Sequence, residues 1–155
     1  MQMEISFTLN GSPCRAVVEP SRLLLDFLRE DEGLTGAKRS CEVQVCGACT
    51  VLLDGLPVSS CCTLAVDADA REVLTIEGLA ELPGFARLEE TFTEHAALQC
   101  GFCTPGLLLT VHSLLASGDL ADSEALRRNL AGNICRCTGY KAILEAIAEL
   151  AEVAA

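Results

Sequence analysis

Four cysteines between residues 41 and 61 constrain this chain more than any other feature. In "CEVQVCGACT", Cys41, Cys46 and Cys49 crowd into one short stretch, and Cys61 follows after an intervening apolar run. The spacing is C-x4-C-x2-C with one remote partner. Thiols at such density cross-link the chain or hold a metal. The candidates are a disulfide, a zinc ion, or an iron–sulfur cluster.

The redox compartment decides against the first. The N-terminal "MQMEISFTLNGS" has neither the basic start nor the apolar centre of a secretory leader. No window of about 18 apolar residues suggests a membrane span. A cytoplasmic protein is expected, where thiols stay reduced and clustered cysteines more often bind metal. The formal net charge of −11 opposes nucleic-acid binding, and one Tyr with no Trp leaves few rings for base stacking. Half the residues are hydrophobic and 21% are charged, so the chain can bury a core. Its 155 residues suffice for one ordinary domain or two small ones.

Two halves of different character follow one another. "EISFTLNGSPCRAVVE" reads as two strands joined at Asn10-Gly11, a strong hairpin signal. "SRLLLDFLRE" reads as a helix capped by Ser21 and ended near Gly33, with Leu24, Phe27 and Leu28 on one face. "CTVLLDGLPVSSC" predicts a second hairpin turning at Asp54-Gly55, and "REVLTIE" a further strand. That order predicts a small α+β domain, residues 1–78, with a helix lying across a mixed sheet. Gly and Pro break the pattern in "GLAELPGF", which places a linker at 79–84. Residues 85–155 read as helices at roughly 85–98, 105–117, 122–131 and 139–152, which implies a compact four-helix bundle. Ile143, Ile147 and Leu150 supply the helical spacing of the last.

Each half carries its own cysteine set. For Cys41, Cys46, Cys49 and Cys61, the x4 loop suits the [2Fe–2S] spacing better than the paired short knuckles of zinc. Gly47 and Ala48 are small enough for backbone N–H groups to approach sulfur. The second set is Cys100, Cys103, Cys135 and Cys137, in "QCGFCTPG" and "NICRCTGY". Thr104-Pro105 and Thr138 predict that each pair sits at a helix N-terminus, where the dipole favours thiolate. Spacing alone leaves zinc and iron–sulfur both open for this set. Cys14 reads as a small core residue. Cys62 competes with Cys61 for the ligand role, and strand alternation favours Cys61.

Taken together, "CEVQVCGACTVLLDG", Ser60-Cys61, "QCGFCTPG" and "GNICRCTGY" resemble the iron–sulfur small subunit of the molybdenum hydroxylase, or xanthine dehydrogenase, family. Three-subunit bacterial enzymes such as carbon monoxide dehydrogenase and 4-hydroxybenzoyl-CoA reductase belong to that group. The resemblance covers essentially the whole chain. It implies a plant-ferredoxin-like β-grasp domain holding one [2Fe–2S] cluster on Cys41, Cys46, Cys49 and Cys61. It implies a second cluster in the four-helix domain on Cys100, Cys103, Cys135 and Cys137. It also implies a large partner carrying molybdopterin, a medium partner carrying FAD, and a dimer of heterotrimers. Gln99 matches a glutamine that contacts the pterin, and Cys137 the ligand that lies against the pterin amine. The implied role is to relay single electrons from molybdenum to FAD, with no catalytic residue in this chain.

One departure stands out. Relatives often carry Gly and acidic residues between the first two cysteines, whereas here the insert is Glu42-Val43-Gln44-Val45. Packing and solvent access tune cluster potentials, so Val43 and Val45 are expected to affect the potential and not the ligation. No G-x-G-x-x-G or G-x-x-x-x-G-K-[ST] nucleotide motif is present. His95 and His112 fall inside helical stretches and read as structural. Glu89-Glu90 and Asp31-Glu32 read as solvated faces. The rival readings are a free two-cluster ferredoxin and a structural zinc module.

Overall fold

The computed structural model describes residues 2–118 and 123–154. Strands β1 (Met3–Leu9) and β2 (Ser12–Val18) form the first hairpin. Asn10 and Gly11 both take left-handed backbone, φ 51° and 77°, the geometry that a tight two-residue turn needs. Strands β3 (Thr50–Leu53) and β4 (Leu56–Ser59) repeat the device at Asp54 and Gly55, φ 51° and 79°. Strand β5 (Glu72–Leu74) runs parallel to β1 and antiparallel to β3. The result is one mixed sheet in the order β2-β1-β5-β3-β4.

Alternation along β1 turns Ile5, Phe7 and Leu9 inward. Helix α1 (Leu24–Asp26), which widens into a π-turn over Phe27–Asp31, lays Leu24, Leu25, Phe27 and Leu28 on that face. Phe7 and Phe27 meet edge to face with ring centroids 5.8 Å apart. The helix starts later than its sequence predicts. Leu23, not Ser21, occupies the N-cap, and no side chain caps it. Burial of the Leu-Leu-x-Phe-Leu face outweighs the missing cap.

The stretch predicted as strand through Glu77 changes character after Leu74. Helix α2 (Ile76–Ala80) begins there and buries Gly78 and Leu79. Asn10 accepts from the Thr75 backbone N–H at 2.9 Å, and its amide reaches Thr75 Oγ1 at 3.0 Å. These bonds turn the chain away from the sheet. Helices α3 (Phe85–Glu94), α4 (Thr104–Ser117), α5 (Ser123–Asn129) and α6 (Lys141–Ala154) follow. Helix α4 is apolar nearly all round, with Gly106 to Val111 buried, as befits a central helix. It packs on β3, α2 and α6. Among the described residues, no helix is long and apolar enough to cross a membrane.

Strand β3 couples the halves. All four of its residues are buried. Val51 and Leu53 join the core under α1, whereas Leu52 points the other way into the helical core with Leu107, Val111 and Ile147. One strand therefore serves two cores.

Candidate metal centres

The loop leading to Cys41 is braced before it reaches the thiols. Arg29 donates to the carbonyls of Thr35 and Ala37 at 2.8 and 2.7 Å. The Lys38 N–H donates to the Ala48 carbonyl at 2.9 Å, closing the loop's neck. Gly36 leaves no room for a side chain, because a Cβ there would meet Ile76 Cγ2 at 2.1 Å. Arg39 pairs with both Asp26 and Glu42.

Within the loop the backbone curls. Glu42, Gln44 and Gly47 take φ of 56°, 58° and 69°. Left-handed residues spaced this way turn successive N–H groups toward one side, making an anion-binding concavity. The N–H groups of Val45 and Cys46 both stand 3.4 Å from Cys41 Sγ. Backbone N–H donation from Val43, then Val45 and Cys46, draws the Cys41 thiol down to about 6. The loop thus favours thiolate at Cys41. Cys49 faces Cys61, and both are buried. Burial pushes Cys49 up to about 11. Holding Cys49 as thiolate needs a compensating cation, which an iron cluster would supply.

The choice between Cys61 and Cys62 rests on burial and not on strand alternation. Ser60–Cys62 form a 3-10 turn, so neighbouring side chains do not oppose one another. Their sulfurs lie 3.7 Å apart. Cys61, 4% exposed, packs against Cys49, whereas Cys62 is exposed.

The second set gathers Cys100, Cys103, Cys135 and Cys137. Cys137 Sγ and Cys100 Sγ are 3.5 Å apart, and both residues are exposed. Cys103 and Cys135 form the inner pair. Burial, then the hydrogen bond with Cys135, pushes Cys103 up to about 12. Burial also penalises the Cys135 thiolate. Donation from the Thr138 hydroxyl at 3.1 Å and from backbone N–H groups outweighs it, and the thiol is lowered overall. The Cys100–Cys103 pair lies at the N-terminus of α4 with Pro105 in the first turn, as the sequence predicts, but Cys103 and not Thr104 occupies the N-cap. The other pair does not reach its helix, because α6 begins only at Lys141. Thr138 serves a thiol instead of capping. Gln99 is exposed beside the outward Cys100–Cys137 pair.

In the first set Cys49 and Cys61 are buried and Cys41 and Cys46 half-buried; in the second, Cys103 and Cys135 lie inside the exposed Cys100 and Cys137. Among the described residues no three such side chains converge as they would on a single ion. Two separated pairs are what a cluster with two thiolates on each iron requires. The all-thiol donor set, four cysteines in each half, fits that group.

The two sets touch. The Ile134 N–H donates to the Cys46 carbonyl at 2.8 Å. Asn133, one residue earlier, reaches Gly47 and Thr50 with its amide. Tyr140, in left-handed backbone at φ 68°, accepts from the Cys135 N–H and donates to the Asn133 carbonyl, each at 2.8 Å. Both lie in "GNICRCTGY", but sequence reasoning did not assign them roles: Asn133 bonds residues more than eighty positions away, and Tyr140 folds back on its own loop.

Comparison with known proteins agrees with this chemistry. A family model described as "2Fe-2S iron-sulfur cluster binding domain" matches residues 7–76, and one described as "[2Fe-2S] binding domain" matches residues 75–148. The chain is 44% identical to the nicotinate dehydrogenase small FeS subunit of Eubacterium barkeri, over 94% of this chain and 93% of that one. It is 42% identical to the xanthine dehydrogenase iron-sulfur-binding subunit of Escherichia coli O157:H7, over 92% of this chain and 91% of that one. The crystal structure of quinoline 2-oxidoreductase from Pseudomonas putida 86 contains a chain that superposes with a TM-score of 0.91. That match is at 48% identity, across 99% of this chain and 96% of that one. At such identity over nearly the whole length, the chain belongs to the iron–sulfur small subunits of the molybdenum hydroxylase, or xanthine dehydrogenase, family, which are non-catalytic electron-transfer components of oxidoreductases.

Proposed function

We propose that this subunit relays single electrons from a molybdopterin centre on a large partner, through two [2Fe–2S] clusters, to FAD on a medium partner. Cys41, Cys46, Cys49 and Cys61 hold the first cluster, and Cys100, Cys103, Cys135 and Cys137 the second. The clusters supply one-electron chemistry. The chain supplies rigid ligand loops, inward thiol pairs shielded from water, and N–H groups aimed at sulfur. Residues 1–78 form a β-grasp domain, 79–84 a linker, and 85–155 a four-helix domain.

The observation that carries this reading is the direct bond between the thiol loops. Ile134, next to ligand Cys135, donates to the carbonyl of ligand Cys46 at 2.8 Å. An electron carrier needs its centres close and rigidly related, whereas two independent zinc knuckles do not. The exposed pair Cys100–Cys137, with Gln99 beside it, faces outward, as the pterin-side contact requires. Gln99 and Cys137 are assigned to that contact. The complex is a cytoplasmic dimer of heterotrimers.

Iron, sulfide and metal analysis with EPR of the dithionite-reduced protein tests the reading. Two distinct [2Fe–2S] signals and co-purification with a molybdenum-containing large subunit are expected. Zinc with no EPR signal would overturn the cluster assignment, and purification of the redox-active chain alone would favour a free ferredoxin.

A further inference from the structure

Asn133 stands at the seam between the two thiol loops and uses both ends of its amide there. Its Nδ2 lies 3.4 Å from the Gly47 carbonyl and 3.3 Å from Thr50 Oγ1. Its Oδ1 lies 2.9 Å from the hydroxyl of Thr110. The Thr50 hydroxyl donates in turn to the same Gly47 carbonyl at 2.8 Å. Asn133 is only 5% exposed, and none of the described buried side-chain N or O atoms lacks a partner.

These contacts tie together four pieces: the first thiol loop at Gly47, the start of β3, helix α4, and the loop bearing Cys135 and Cys137. The seam has no slack. A Cβ on Gly47 would stand 2.2 Å from the Gly132 carbonyl and 2.5 Å from Asn133 Nδ2. A Cβ on Gly106 would stand 2.2 Å from the Gly47 carbonyl. Only an amide of this length offers a donor to one side and an acceptor to the other. Asp supplies no donor to the Gly47 carbonyl, and a shorter side chain cannot span the seam.

We propose that Asn133 is a positioning residue that sets the separation and orientation of the two clusters, an inference that rests on the two-cluster reading above. It is not one of the thiol ligands. It acts through Gly47, which lies between ligands Cys46 and Cys49, and through its own place two residues before Cys135. Electron transfer between centres falls steeply with separation, so a seam that opens by even a small amount slows the internal step.

The test uses the full chain, purified with the subunits that accompany it, as wild type, Asn133→Asp and Thr110→Val. Thr110→Val removes the hydroxyl that donates to Asn133 Oδ1 from helix α4, outside both thiol loops. Iron content and EPR of the fully reduced protein are recorded, the latter at low temperature. In wild type, four irons per chain, two for each [2Fe-2S] domain, accompany signals split by magnetic coupling between the clusters. In both variants iron is retained and each cluster keeps its own g values, but the splitting shrinks or disappears. Unchanged splitting in an iron-replete variant overturns the proposal, as does an iron-replete wild type without splitting. Loss of iron from both variants also overturns it, by showing that Asn133 serves folding alone. A wild type that binds no iron would instead sink the two-cluster reading.

Discussion

The backbone N–H of Ile134 meets the carbonyl of Cys46 at 2.8 Å, joining two thiol loops that lie in opposite halves of the sequence. Gly47, next to Cys46, and Gly106 of α4 lie where a Cβ would collide with backbone. Around it, each loop supplies its own donors to sulfur: Val45 and Cys46 N–H to Cys41, and the Thr138 hydroxyl to Cys135.

Tyr140→Phe tests the second loop. The hydroxyl accepts from the Cys135 N–H and donates to the Asn133 carbonyl. Removing it leaves two backbone groups without this partner, at about 1–3 kcal/mol for each group kept from water. Faster loss of iron to a chelator from the second cluster is expected, with the first cluster's EPR signal retained. Equal loss from both clusters would contradict a local role.

Gly106→Ala sets two effects against each other. Alanine favours a helix interior over glycine by about 1 kcal/mol. The new Cβ would stand 2.2 Å from the Gly47 carbonyl, a backbone atom that cannot swing aside. Overpacking of this kind costs about 1–3 kcal/mol, so net destabilisation is expected. A lower midpoint in thermal or urea unfolding checks it, and a raised midpoint would show that α4 can shift freely.

His112 makes stability depend on pH. Burial lowers its pKa below the ordinary 6.5. The unfolded chain therefore binds the proton more readily than the folded one. This residue costs no stability above the unfolded value. Stability falls as pH drops from about 6.5 toward the folded value. His112→Gln should flatten that slope between pH 7.5 and 5.5 in urea titrations; an identical slope would assign it to other groups.

Val43 and Val45 are 65% and 54% exposed, so they rim the first thiol loop instead of packing under it. The left-handed positions fall on Glu42 and Gln44, which spares the β-branched residues that strain. Replacing both valines with glycine should leave iron content intact and shift the first cluster's midpoint by admitting water. An unchanged midpoint in a redox titration would remove the idea that they tune it.

Much of this protein was legible locally. Asn10-Gly11 and Asp54-Gly55 announce tight turns because few residue pairs tolerate left-handed backbone twice in succession. The four late helices show in their apolar period, as with Ile143, Ile147 and Leu150. The two cysteine sets, with their family resemblance, pointed to the chemistry. Local signals misled where packing outweighed them. Ser21 could cap, but the buried face starts the helix at Leu24. "TIE" continues a strand pattern, but Asn10 bonds Thr75 and turns the chain into α2. Cys61 and Cys62 looked separable by alternation, but a 3-10 turn places their sulfurs side by side, and burial against Cys49 distinguishes them.

The sequence by itself determined which residues could bind a metal, because ligand chemistry resides in side-chain type and short spacing. Only the tertiary structure decided how the two sets relate. Asn133, Gly47 and Gly106 lie within the cysteine motifs, but their role in the seam carries no local signature, since each meets atoms contributed by distant parts of the chain. Such contacts depend on where β3 and α4 pack, and that is settled by burying Leu52 and its neighbours in a shared core.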